Sequence, residues 1–114
     1  MIQSTVRLQI LERQQAEVLR TLRILTGHAT ARAGCAYFSV SRETADPTTV
    51  TITERWATRK DLDEHVRSTE YRLLLTVIDL SVTPPDIRFD VLDHIGGLDL
   101  VQSLRAPRQF QPET

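Results

Sequence analysis

An α+β fold of the ferredoxin-like type, βαββαβ with a four-stranded antiparallel sheet and its helices on one face, is predicted by three observations. Four stretches of the chain alternate strictly between apolar and polar residues, the period of a half-buried strand. The stretches between them recur at three- and four-residue spacing, the stripe of an amphipathic helix. The two periods follow one another as strand, helix, strand, strand, helical region, strand, the split βαβ order, and right-handed crossovers bring both helical regions to the same side of the sheet.

The first strand is read from Val6, Leu8 and Ile10, which alternate with Arg7 and Gln9. From about Gln14 the period changes, and Val18, Leu22, Leu25 and Ala29 form a helical stripe. Glu12 and Glu17 near its start, with His28 and Arg32 at its far end, suit the helix dipole. Ala33-Gly34 is a helix stop. In the second strand, Cys35 to Arg42, the alternation puts Ala36, Phe38 and Val40 on one side. Ala45-Asp46-Pro47-Thr48 is a turn, since Pro sets φ and Asp bonds back to the backbone. It closes a hairpin with a third strand whose Val50, Ile52, Glu54 and Trp56 share a side.

Thr58 is the expected N-cap of the next helix, with Asp61 in its first turn and Leu62, His65 and Val66 on one face. Ser68 or Thr69 is expected to cap a following helix whose stripe is Leu74, Val77 and Ile78, flanked by Tyr71 and Leu75. Pro84-Pro85 ends this region. Ile87, Phe89 and Val91 alternate with Arg88 and Asp90 in the fourth strand. Gly96-Gly97 is a turn, and Leu98, Val101, Leu104 and Arg105 make a short last helix. The domain is expected to span 1–105, with the polar, proline-containing stretch 106–114 a disordered tail.

With 114 residues the chain is one domain with a single core. A net charge of −1 and basic residues scattered along the chain, all arginine but Lys60, point away from nucleic acid and anionic membrane surfaces as partners. The arginine bias reads as the composition of a GC-rich bacterial genome. The single cysteine, Cys35, excludes a disulfide within the chain. Residues 1–10 lack the pattern of a signal peptide, and the apolar cluster 73–78 is too short to span a bilayer; a cytoplasmic setting is the expectation.

The sheet face away from the helices carries Arg7, Gln9, Tyr37, Ser39, Thr51, Thr53, Arg55, Arg88 and Asp90 on this phase. It is too polar for a dry core and too varied for a plain solvated surface. A second copy laid against it answers both, so a homodimer through the sheet face is expected. Leu98, Leu100, Val101 and Leu104 also need cover, and packing across the partner subunit supplies it.

The run from Ile52 to Leu75 carries Glu54-x-Trp56 and then Leu62-x-x-His65-x-x-Ser68-x-x-Tyr71, followed by Leu74. With Arg32-Ala33-Gly34-Cys35 and Tyr37, this pattern resembles the antibiotic biosynthesis monooxygenase family of the dimeric α/β-barrel superfamily, over about Thr5 to Leu92. The resemblance implies a dimeric α/β barrel whose two sheets face one another, with a pocket in each monomer between sheet and helices. It also implies a range of activities: cofactor-free oxygenation of phenolic polyketides and quinols, haem degradation, or none assigned.

Cofactor-free oxygenation asks a protein for a dry pocket, a base and a fixed orientation, because the deprotonated substrate itself donates an electron to O₂. On the resemblance, His65 is the base or polariser of a phenolic oxygen and Trp56 the wall that stacks on a small aromatic molecule. Phe38, Tyr71, Glu54, Arg7 and Gln9 are further pocket candidates. Each has a plainer reading. Trp56 serves equally as core. His65 caps a carbonyl or pairs with Asp61, one turn earlier. Glu54, on the apolar phase of its strand, needs a buried partner, for which Arg55 and Arg59 are the nearest cations. Cys35 fits a small buried hydrophobe.

His28, His65 and His94 are widely spaced, with no ligand motif, and no metal is expected. No GxGxxG occurs, so no flavin or nicotinamide fingerprint is present, and no cofactor is expected. The haem-degrading relatives pair tryptophan and helix histidine with a first-strand asparagine, and this chain has no asparagine. A pocket lined by Trp56, His65 and Phe38 that is open and apolar favours an oxygenase; one filled by side chains favours a non-catalytic barrel that binds a small molecule.

Overall fold

The computed structural model describes residues 1–107; most of the expected tail, 108–114, lies outside the described residues. The elements are β1 (Ile2–Gln9), α1 (Glu12–Thr30), β2 (Cys35–Arg42), β3 (Thr49–Trp56), α2 (Arg59–Arg67), α3 (Tyr71–Ile78), β4 (Asp86–Val91) and α4 (Leu98–Arg105). The four strands form one antiparallel sheet in the order β2-β3-β1-β4. This is the ferredoxin-like arrangement that the alternation of periods predicts.

The core lies between the sheet and the helices. Val6, Leu8 and Ile10 from the first strand and its exit, Val50 and Ile52 from β3, Val18, Leu22 and Leu25 from α1, and Tyr71, Leu74 and Val77 from α3 form one buried cluster. Burying each such side chain contributes about 1.5–3 kcal/mol. A second cluster joins Ala29, Trp56 and Leu62, with Ile2, Cys35 and Phe38 packed against it. The α1 stripe is as expected, with one polar member. Gln15 donates from Nε2 to the carbonyls of Ile10 and Pro47 and accepts from Arg42, which ties the hairpin loop to the helix. Asp46 accepts from Thr48 and Thr49, and these bonds hold its carboxyl below the usual range.

Several local expectations are corrected. In β2 a bulge between Cys35 and Tyr37 sets Cys35 opposite Trp56, so Cys35 rather than Ala36 joins the inner face. Ala36, exposed, is the extra residue of the bulge. On α2 the buried face is Leu62 and His65; Val66, about 100° further round the helix, is exposed. On α3 Leu75 is exposed and Leu73 is the partly buried neighbour, because the helix packs on the core through Tyr71, Leu74 and Val77. Ser68 and Thr69 do not cap α3. Glu70 precedes it without a side-chain cap bond, and Ser68 instead closes α2, its Oγ donating to the His65 carbonyl at 2.6 Å. Thr58 caps α2 as expected, accepting from the Asp61 amide at 3.1 Å.

The helices do not cover the whole sheet. α1 packs on β2 and α3, and α2 on β3 and α3. The edge strand β4 is left open, and its inward-phased Ile87, Phe89 and Val91 are exposed. Beyond it α4 has no buried residue, with Leu98 71% and Leu104 76% exposed. Among the described residues no helix is long and apolar enough to cross a membrane.

Candidate functional site

The alternation of β3 sends Glu54 and Trp56 to the same inner face, and there they bond to each other. Trp56 Nε1–H donates to Glu54 Oε1 at 3.1 Å. The third member arrives from α2. His65 lies one turn before the helix end, where Ser68 terminates it, and its ring enters the space between helix and sheet. His65 Nε2 is 2.7 Å from Glu54 Oε1, and the imidazole stacks on the Trp56 indole with centroids 4.4 Å apart and planes at 27°. Tyr71, the first residue of α3, closes the cluster edge-on to His65 at 5.2 Å. Glu54, Trp56 and His65 are each 1% exposed.

The buried partner of Glu54 is therefore His65, with Trp56 beside it, and not Arg55 or Arg59. Arg55 points to the other face, where it donates to Gln3 and lies over the Tyr37 ring at 4.7 Å. Arg59 pairs with Asp63 on its own helix. Nor is Asp61 the partner of His65; it faces Thr58. Sequence distance favoured those neighbours, but the approach of α2 to β3 decides the pairing.

The Glu54–His65 contact is close without being in line for a hydrogen bond. Among the described residues, His65 Nε2 and the second oxygen of Glu54, Oε2, both lack a hydrogen-bond partner, as does Ser4 Oγ. Ser4 is 1% exposed and stands directly opposite Glu54 in the β1–β3 register. Burial, and then the Glu54 charge, push the Tyr71 hydroxyl up to about 12. Tyr71 is thus a neutral donor over the physiological range, not a base.

Beside this cluster runs an open trough of about 530 Å³, lined by Ile2, Leu62, Val66, Phe89 and Val91, with Arg59, Asp63, Arg67 and Asp90 at its margins. It exists because β4 has no helix over it. Ile2 and Leu62 belong both to its wall and to the packing around Trp56, so the trough backs onto the buried cluster.

The structure brings Glu54, Trp56, His65 and Tyr71 together. Phe38 is next to them, opposite Glu54 in register and partly buried against both core clusters. Arg7 and Gln9 are elsewhere: they point to the outer face, Arg7 paired with Glu43 at 2.6 Å and Gln9 in reach of Thr48. Ser4 and the trough residues escaped the sequence reading. Ser4 carried a signal, a polar residue in the same phase as Val6 and Leu8. The trough carried none, since it depends on what the helices leave bare. Among the described residues no group of three or more His, Cys, Asp or Glu side chains is placed to hold a metal ion.

The family model described as antibiotic biosynthesis monooxygenase matches residues 1–74. Solved structures share the fold at low identity. A provisional antibiotic biosynthesis monooxygenase from Deinococcus radiodurans is 19% identical, with a TM-score of 0.75 over 85% of this chain and 97% of that one. One from Nitrosomonas europaea, equally provisional, is 20% identical, with a TM-score of 0.70 over 86% and 99%. A conserved protein from Methanosarcina mazei Go1 is 20% identical, with a TM-score of 0.73 over 78% and 89%. No curated protein matches the chain.

Proposed function

The chain belongs to the antibiotic biosynthesis monooxygenase family, and from that premise we propose that it is a cofactor-independent monooxygenase of a phenolic or quinol-type aromatic molecule. The observation that supports this reading is the buried Glu54–His65 contact, stacked on Trp56, with an apolar trough of about 530 Å³ behind it whose wall is Ile2, Leu62, Val66, Phe89 and Val91 rather than Trp56, His65 or Phe38. His65 takes the substrate proton, and Glu54 stabilises the imidazolium that results. Water-poor surroundings strengthen that interaction. The substrate carbanion then passes an electron to O₂, and the radical pair recombines as a hydroperoxide. For an anthrone the methylene carbon keeps one oxygen as a new carbonyl, and the other leaves as water with the two methylene hydrogens.

Trp56 and His65 fill the space between themselves, and this favours a second reading, a non-catalytic dimeric barrel that binds a small aromatic molecule. Oxygen uptake with a panel of hydroquinones and anthrones separates the two. The oxygenase shows uptake that falls at least tenfold in His65→Ala and drops in Trp56→Phe. No uptake by the wild type, or equal uptake by the variants, leaves the binding barrel. Haem degradation fits the residues poorly, because β1 has no asparagine. A haem titration without a Soret shift removes it.

Under the same proposal the protein is a homodimer. The outer sheet face offers partly buried Thr51, Thr53 and Arg55 beside the exposed Tyr37, an array that no layer among the described residues covers. The exposed apolar side of α4 supplies a second contact.

A further inference from the structure

Buried polar atoms without partners are uncommon in folded proteins, because each gives up its water without recompense. Here the partnerless Ser4 Oγ and Glu54 Oε2 stand on residues directly opposite one another across β1 and β3, where facing Cβ atoms are about 5 Å apart. One atom is a hydroxyl that can donate or accept, the other a carboxylate oxygen that can only accept when ionised. Their place in the fold relates them to the trough. Ile2, the preceding inward residue of β1, lines it, and so does Phe89, the β4 residue opposite Ser4. Two strand residues span about 7 Å, so Ser4 and Glu54 lie about that far along the sheet from the Ile2 end of the trough, on the strands beside Phe89.

We propose that Ser4 Oγ and Glu54 Oε2 form a socket for the hydroxyl group of a flat aromatic ligand seated in the trough. The ligand O–H donates to Oε2 and its oxygen accepts from the Ser4 hydroxyl, while the ring lies among Ile2, Leu62 and Phe89. Phe89 is half exposed on the uncovered edge strand, and it is the side chain that turns aside to admit the ring. The socket rests on the aromatic-ligand reading above but concerns binding alone, so it can hold where oxygen uptake fails.

The test is anaerobic calorimetry with 2-naphthol and its methyl ether, which share a ring and differ in the hydroxyl proton. Wild type binds the naphthol at least about tenfold more tightly, the worth of one hydrogen bond to a charged acceptor. Ser4→Ala reduces that preference several-fold. Because the hydroxyl it loses is unpartnered, Ser4→Ala also unfolds at the wild-type temperature or above it. Equal binding of the two compounds by wild type, or binding of neither, overturns the socket. An unchanged preference in Ser4→Ala together with a lowered melting temperature assigns Ser4 to the core instead.

Discussion

Glu54 on β3 and His65 on α2 meet at 2.7 Å with each side chain 1% exposed, joining the sheet to the helical layer through a polar contact inside an apolar core. Removing one member leaves the other buried without its polar neighbour, which costs about 1–3 kcal/mol. His65→Ala is expected to lose stability on that scale in urea unfolding, since it also removes the stack on Trp56. Glu54→Gln keeps an acceptor for Trp56 Nε1 and loses less. The double variant is expected to be less destabilised than the sum of the singles. Strict additivity would show that the two side chains act independently despite their distance.

Tyr71 gives a pH dependence at the alkaline end. Its hydroxyl is raised to about 12 in the folded chain by burial and by the Glu54 charge, against about 10 unfolded. Between these values the unfolded state has released a proton that the folded state keeps, so stability falls as pH rises from about 10 towards 12. Below pH 10 the contribution is fully present. Of the two tyrosines, one is therefore expected to ionise late in a titration followed at 295 nm, and Tyr71→Phe removes that late step. An unaltered titration in Tyr71→Phe would refute the assignment.

Gly34 sets the corner between α1 and β2. Its carbonyl accepts from the Ala57 amide at 2.8 Å, and a Cβ added there would collide with the side chain of Asp61 at the start of α2. Gly34→Ala is expected to cost about 1–3 kcal/mol, as overpacking does. Asp61→Ala added to it should recover part of the loss even though it weakens the start of α2. A Gly34→Ala protein as stable as wild type would mean that α2 can shift away from the corner freely.

How much of this was legible in the chain follows from how local each feature is. Strands and helices are written in their own periods, and E-x-W can be read as two inward side chains without knowing what they meet. The β2 bulge is not legible, because Ala36 satisfies the alternation as well as Cys35 does. The Glu54 partner is not legible either. His65 reaches it only because α2 crosses β3 at that point, whereas Arg55 and Arg59 are nearer in sequence. The trough is the least local feature of all, being the part of the sheet that the helices fail to reach. Ser4 was the readable omission, a hydroxyl on the apolar phase of β1.

The last expectation concerns α4 and the homodimer. Leu98, Val101 and Leu104 recur every third residue of α4 and are all at least half exposed, so they share one broad side of that helix. An eight-residue helix is too short to be stable in water by itself, so the ordered helix needs a surface to lie against. Each leucine buried there contributes about 1.5–3 kcal/mol. Leu98→Ser with Leu104→Ser is therefore expected to weaken self-association more than tenfold in sedimentation velocity, while Leu75→Ser, an exposed leucine on α3, leaves it unchanged. Equal association by all three proteins would place the dimer contact on the outer sheet face alone, and a wild type that stays monomeric at micromolar concentration would remove the dimer altogether.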